Sequence, residues 1–245
     1  MFRSSNPVFS GDRFNNQQIL GEAPMTAAGA VNKAFILFAI LAVSAAAVVY
    51  EAYMGYADKV MMTTMIGLIA GFILALIISF KPNTAPYLAP VYAFAEGACL
   101  GGISILLEVQ FPGIAIQAIA GTFGALFVML FLFKTKIIKV TEKFRSVLMI
   151  SMVTILAMYL INFIMGFFGH SLPFITGSSP LSIGISAVIV VIAALSLLLD
   201  FDFIQRAEEN LLPKHFEWYG AFGLMVTLVW LYIEILNLLA KLRDR

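Results

Sequence analysis

Four acidic side chains lie inside long apolar runs of this sequence. Glu96 lies in "YAFAEGACLGG", Asp200 and Asp202 lie in "LLLDFDFIQRAEEN", and Glu234 lies in "LVWLYIEILNLL". An ionised side chain in the middle of a membrane helix costs at least about 2.5–3.5 kcal/mol, and such residues are usually kept for ion or proton chemistry. Carboxylate oxygens are ligands that suit Ca²⁺. The four acids are therefore candidate gating or ion-binding residues.

The two neighbouring aspartates have different surroundings in the sequence. Residues two apart on a helix point about 200° apart, so Asp200 and Asp202 cannot share one face. Asp202 has Arg206 four residues later, which predicts an i,i+4 ion pair and a structural anchor near the membrane surface. Asp200 has Phe203 and Ile204 at those positions. A polar partner for Asp200 must therefore come from another helix.

Glu234 is the candidate partner for Asp200. Two close carboxylates cannot both ionise cheaply, so they share a proton, and loss of that proton drives them apart. Such a pair would form a gate and a possible calcium site. Counted from the turn at Pro213, however, the two acids differ in depth by about 12 Å at 1.5 Å per residue. The pairing requires a shifted or kinked last helix.

Glu96 has no basic residue near it in the sequence, since neither Lys nor Arg occurs between Lys81 and Lys134. It must face the bundle interior, stay protonated or meet water. A neutral Glu96 that is hydrogen-bonded across helices is the structural alternative to a gating role. Glu51, Glu108 and Glu217 lie at the ends of apolar runs, where water is near, and need no function.

Composition identifies the class of protein and excludes others. Of the 245 residues, 61% are apolar and 12% are charged, against about 45–50% and about 25% in soluble domains. This is the composition of a polytopic membrane protein. The net charge of +1 gives no basic surface for nucleic acid. Two histidines, His170 and His215, are too few for a three-histidine zinc site, and Ser104 lacks a Gly-x-Ser-x-Gly context. We expect no enzyme and no bound cofactor.

Seven apolar runs are long enough for a membrane helix, and they do not alternate as barrel strands do. Residues 1–30 are polar and predict a disordered cytoplasmic arm, and residues 31–245 predict one all-α membrane domain. The small-residue spacings Gly67–Gly71 and Gly97–Gly101 predict helix packing seams. The runs cover residues 32–52, 60–80, 87–108, 112–133, 145–169, 180–203 and 216–240.

Basic residues predict that the N-terminus is cytoplasmic. The 134–145 loop is the strongest anchor, and Arg3, Arg13, Lys33, Lys81, Arg206 and Lys214 fall on the same side. The tail residues Lys241, Arg243 and Arg245 fall on the other side. Either the seventh run crosses the membrane and the tail lies outside, or that run is re-entrant and six helices span. We favour seven spans.

Several features in order along the chain resemble the Bax inhibitor family, also called the transmembrane Bax inhibitor motif proteins, in its bacterial branch. They are the polar arm, the seven runs, "AEGACLG" in the third run, "LLLDFDFIQRAEE" at the end of the sixth and "LYIEILNLL" in the last. The resemblance covers about residues 30–240. It implies a fold in which six helices surround a hydrophobic seventh.

The same resemblance implies a pH-sensitive calcium leak in the bacterial inner membrane, gated by an acid pair between helices six and seven. Asp200 or Asp202 would be the acid of helix six, and Glu234 that of helix seven, where the family usually has Asp. Calcium ions and protons are then the expected ligands, with the lipid bilayer as surroundings. Bacterial relatives also resemble modulators of a membrane protease. The alternative function is therefore a non-transporting adaptor of such a protease or of a stress-response partner, docked through the 134–145 loop and the arm.

Overall fold

The computed structural model describes residues 23–170 and 172–244, and seven long helices account for most of them. All seven are apolar and long enough to cross a membrane. The predicted all-α polytopic architecture with seven spans is therefore confirmed. The helices are α1 (Ala27–Tyr53), α2 (Ala57–Phe80), α3 (Ala85–Gln110), α4 (Ile114–Lys134), α5 (Glu142–Phe167), α6 (Pro180–Glu209) and α7 (Phe216–Arg243).

Side-chain caps fix where several helices begin. Thr26, Thr141 and Ser179 each accept a hydrogen bond from a backbone N–H in the first turn of α1, α5 and α6, respectively. The Glu108 carboxylate accepts from the backbone N–H groups of Gly113 and Ala115 and so caps α4. These caps satisfy backbone N–H donors that have no partner within their own helix.

The predicted polar arm ends earlier than expected. Residues 1–22 lie outside the described part of the chain, but residues 23–30 are ordered. Met25 is buried and its backbone N–H donates to the Leu212 carbonyl at 2.8 Å, and α1 already begins at Ala27. The last residues assigned to the arm therefore belong to the membrane domain.

Helix α7 is the central element of the bundle. It packs against α1, α3, α4 and α6, whereas α2 packs on α1 and α3, and α5 packs mainly on α6. Ala221, Met225 and Leu231 of α7 are fully buried. The expected arrangement of six helices around a seventh thus takes the form of four direct neighbours, with α2 and α5 at the periphery.

Glycines allow α3 to approach both α1 and α2 closely. A Cβ atom on Gly97 would lie 2.3 Å from the Leu41 carbonyl oxygen of α1, and one on Gly67 would lie 2.6 Å from the Ala95 carbonyl oxygen of α3. Gly71 and Gly101 are similarly crowded. The small-residue spacings are therefore packing seams, as predicted.

The two ends of α7 lie on opposite faces of the bundle. We call the end where α1 and α7 begin the N-terminal face, and the end where α7 stops the C-terminal face. Arg243 donates from Nη1 to the Pro112 carbonyl at 2.7 Å and from Nη2 to Gln117 Oε1 at 2.9 Å. Helix α7 therefore crosses the bundle fully rather than turning back. These hydrogen bonds also explain why a basic residue of the tail lies on the face opposite most of the other basic residues.

Candidate functional site

Asp202 lies in an ion-pair network on the N-terminal face. Its Oδ2 lies 2.8 Å from Arg206 Nε and 2.7 Å from Arg145 Nη2 of α5. Glu142 lies 3.8 Å from both guanidinium groups. The predicted Asp202–Arg206 pair is thus present, and Arg145 adds a second cation from a different helix. The network ties α5 to α6 and neutralises Asp202.

Asp200 points towards α7, where it lies beside the Thr227 side chain and near Gly223. Its Oδ2 is buried and has no hydrogen-bond partner among the described residues. A buried carboxyl oxygen without a partner carries a desolvation cost that is larger when the group is charged. The surroundings of Asp200 therefore favour the neutral carboxyl over the carboxylate.

Glu234 lies deeper towards the C-terminal face and is only 2% exposed. Its Oε1 accepts two hydrogen bonds, from Tyr159 Oη of α5 at 2.7 Å and from Trp230 Nε1 at 3.0 Å. Both bonds go to Oε1, and Glu234 lines a cavity. Lys241, two turns further along α7, interacts with Glu234 electrostatically.

A polar cavity of about 450 Å³ opens beside Glu234 near the C-terminal face, and we call it the vestibule. Hydroxyl, amide, carboxyl and amine groups line it, together with apolar side chains. This lining suits water and ions. The polar lining residues are Gln110, Tyr159, Asn162, Thr176, Ser178, Ser186, Glu234, Asn237, Lys241 and Asp244.

The structure places Asp200 beside Thr227 and Glu234 beside Tyr159 and Trp230, so it does not show the acid pair, and that pair and its shared calcium site stay predictions. Asp200 lies 13 residues before Pro213 and its neighbour Thr227 lies 14 after, which is the register of an unshifted helical hairpin. Glu234 is seven residues beyond Thr227, about 10 Å along the helix axis. Within residues 23–170 and 172–244, no group of three or more His, Cys, Asp or Glu side chains is placed to hold a metal ion.

Glu96 faces α2 rather than the α6–α7 hairpin. Its Oε2 lies 2.8 Å from the position that a Cβ on Gly71 would occupy, and its carboxyl interacts with the Tyr92 hydroxyl one turn earlier. The Tyr92 ring packs edge-on against Phe222 of α7, with centroids 5.1 Å apart. Glu96 is thus separate from the other three candidate acids, and its gating role stays a prediction.

Glu217 was assigned no role from the sequence, yet it is fully buried at the start of α7. Its Oε1 accepts from the Thr26 backbone N–H and hydroxyl, both at 3.0 Å, and from Lys214 Nζ at 2.7 Å. Lys33 of α1 lies 3.7 Å from Oε2. We call these four residues the N-terminal latch. The sequence indicated this latch only through Lys214, which lies three residues before Glu217, a spacing at which the two side chains can pair.

Replacing Glu217 by glutamine should destabilise the protein by about 2–3 kcal/mol, because it removes the charge that balances two lysines at a buried site. Fully buried pairs typically lose about 3–5 kcal/mol, and both lysines here reach water. The measurement is thermal unfolding of the protein in detergent.

Glu142→Gln is the matched control, since Glu142 is 76% exposed and its ion pairs are long. Exposed pairs contribute about 0–1 kcal/mol, so this control should unfold close to wild type. Equal unfolding temperatures for both variants would show that the latch contributes no stability.

The fold and these sites define a class: a polytopic helical membrane protein with carboxyl groups buried along its central helix. A family model described as Bax inhibitor 1 like matches residues 6–244, nearly the whole chain. The chain therefore belongs to this family, as the sequence features predicted. It matches no curated protein and no solved structure.

Proposed function

We propose that the protein is a proton-controlled cation leak through which calcium passes. One observation supports this function above others: the α6–α7 hairpin carries two buried carboxyls in series. Glu234 lies at the wall of a polar vestibule, and Asp200 lies deeper with an unpartnered oxygen. Buried acids of this kind inside a membrane bundle are typical of ion and proton pathways.

Glu234 is the cation-binding residue of this proposal. Glu234 lines the vestibule, and the oxygen-bearing side chains of Asn162, Asn237 and Tyr159 line it too. Calcium prefers six to eight oxygen ligands from carboxylates, amide carbonyls and water, with flexible geometry. A polar vestibule with one buried carboxylate fits weak, reversible binding of a passing ion better than tight binding.

Buried apolar side chains separate the two acids and correspond to a closed state. Leu228 and Leu231 of α7 and Leu197 of α6 are 4%, 0% and 0% exposed, respectively. A charge that crosses such a segment loses its hydration, so ions do not pass until α6 and α7 separate. The leak therefore requires a movement in this hairpin.

Asp200 is the proton-sensitive residue of the proposal. While neutral, it packs against Thr227 and Gly223 and the hairpin stays closed. Once ionised, it is a buried charge with no cation beside it in the described part of the chain, and the desolvation cost of that charge favours a state in which water reaches it. The leak should therefore increase as pH rises. Asp202 is the poorer gate because two guanidinium groups neutralise it.

A second function, docking to a membrane protease or a stress-response partner, is favoured by one feature. Lys136 and Lys139 are exposed in the loop between α4 and α5, beside Ile137, whose side chain is 66% exposed. Lys134 at the end of α4 and Lys143 in the first turn of α5 are exposed too. From the distribution of Lys and Arg, we propose that this basic loop lies on the cytoplasmic side of a bacterial inner membrane. An adaptor would use it to bind its partner.

An enzyme function receives less support. The Ser104 hydroxyl is hydrogen-bonded to Tyr232 at 2.7 Å and to the Leu100 carbonyl at 2.6 Å. Neither partner is a general base at neutral pH. We therefore propose that the protein acts without catalysis and without a resident cofactor.

Calcium flux in liposomes tests the leak directly. Purified protein is reconstituted with a calcium-sensitive dye inside, and calcium entry is followed from mildly acidic to mildly alkaline pH. We expect entry above that of empty liposomes, with a rate that increases with pH. If pure protein gives no flux while it captures a specific protease complex from solubilised membranes, the adaptor function replaces the leak.

A further inference from the structure

Lys241 is a cationic side chain inside the vestibule, on the same face of α7 as Glu234. Residues Glu234, Asn237 and Lys241 are spaced i, i+3 and i+7, so they form one stripe along the helix, and all three line the cavity. The Lys241 ammonium is held in place by Ser186 Oγ of α6 at 2.7 Å and by the Ile175 carbonyl.

Among the residues that the structure describes, no carboxylate is in direct contact with the Lys241 ammonium. The partners that receive its hydrogen bonds are a hydroxyl and a carbonyl, both uncharged. Asp244, the other acid that lines the vestibule, accepts from Ser178 Oγ instead. The positive charge of Lys241 therefore acts across the cavity on whatever occupies it, in addition to Glu234.

We propose that Lys241 is a built-in competing cation that sets which ions the vestibule accepts. The inference rests on the proposed cation site at Glu234 and adds its selectivity. Coulomb repulsion scales with the charge of the entering ion, so a fixed ammonium opposes a divalent ion twice as strongly as a monovalent one. Lys241 therefore weakens divalent binding and keeps the flux a slow leak with poor preference for calcium.

The distance to Glu234 gives the scale of this effect. Seven residues correspond to about 10 Å along the helix axis. Over that distance, in a partly hydrated cavity, loss of the ammonium should tighten the binding of a divalent ion about tenfold and that of a trivalent ion about thirtyfold. Monovalent binding should change by about threefold, which raises the preference for divalent ions.

Terbium luminescence can test this at the site itself. The chain has two tryptophans, and Trp230 donates to Glu234 at 3.0 Å, so it can transfer excitation to Tb³⁺ bound at Glu234. In a Trp218→Phe background, Trp230 is the sole tryptophan. Tb³⁺ serves as the probe for Ca²⁺, and displacement by Ca²⁺ and by Na⁺ gives the affinities of both ions.

Two substitutions separate charge from structure. Lys241→Gln removes the charge and keeps a hydrogen-bond donor for Ser186, whereas Lys241→Arg keeps the charge. We expect Lys241→Gln to bind Ca²⁺ about tenfold and Tb³⁺ about thirtyfold more tightly, Lys241→Arg to bind as the background protein does, and Glu234→Gln to lose the sensitised signal.

Each other outcome has a defined meaning. Equal affinity in the glutamine variant and the background would overturn the selectivity role while the cation site stands. Weaker binding in the glutamine variant would overturn it too, because Lys241 would then only maintain the shape of the vestibule. A lack of sensitised luminescence in every variant would overturn both this inference and the cation site.

Discussion

Replacing Glu234 by glutamine should lower calcium entry into liposomes about tenfold or more. Glutamine keeps the size of the side chain and can still accept from Tyr159 and Trp230, but it removes the carboxylate that the vestibule offers to an ion. The loss of one charged ligand at a buried position corresponds to a change of at least about 1.4 kcal/mol in ion binding, which is tenfold. The rate is measured by the internal dye at alkaline pH, where the leak is expected to be fastest.

Asp244→Asn is the control for this variant. Asp244 also lines the vestibule, but it is exposed at the end of α7. Water screens an exposed charge, so the control should keep most of the wild-type flux. If Glu234→Gln conducts as wild type does, Glu234 is not on the ion path, and the vestibule has another use.

Replacing Asp200 by asparagine should remove the pH dependence of the leak. Asparagine is neutral at every pH, so the contact with Thr227 and Gly223 would stay in the form that corresponds to a protonated Asp200. The flux should remain at the low, acidic-pH level of the wild type across the pH range. The measurement is the same dye assay, repeated in steps of pH on matched liposomes.

Asp202→Asn separates the two neighbouring aspartates. This variant breaks the pairs with Arg145 and Arg206 and should lower the unfolding temperature while the pH profile of the flux is kept. If the profile flattens in Asp202→Asn and persists in Asp200→Asn, the gate is Asp202. In that case the ion-pair network, rather than the unpartnered carboxyl, controls the leak.

The sequence predicted those features that depend on residues close together along the chain. Runs of apolar residues defined the helices, and glycine spacing defined the seams around Gly97. The Asp202–Arg206 pair follows from one turn of helix. Counting residues from Pro213 also indicated the correct register of α6 and α7, in which Glu234 lies too far along to meet Asp200.

Contacts between helices that are far apart in the sequence could not be predicted in this way. Nothing in the sequence pairs Tyr159 with Glu234, or Arg145 with Asp202, because each contact depends on how α5 is seated against the hairpin. Glu217 was missed for a related reason. An acid in the first turn of an apolar run is expected to be exposed to water, whereas here the start of α1 covers Glu217.

The N-terminal latch also has a consequence for biogenesis. It joins Thr26 and Lys33, among the first residues to enter the membrane, to Glu217, which opens the last helix. A chain that emerges from the ribosome therefore carries an unbalanced Lys33 until α7 is inserted. The last insertion step therefore completes the first helix, and a nascent protein that lacks α7 leaves the charge of Lys33 without Glu217 at its N-terminal face.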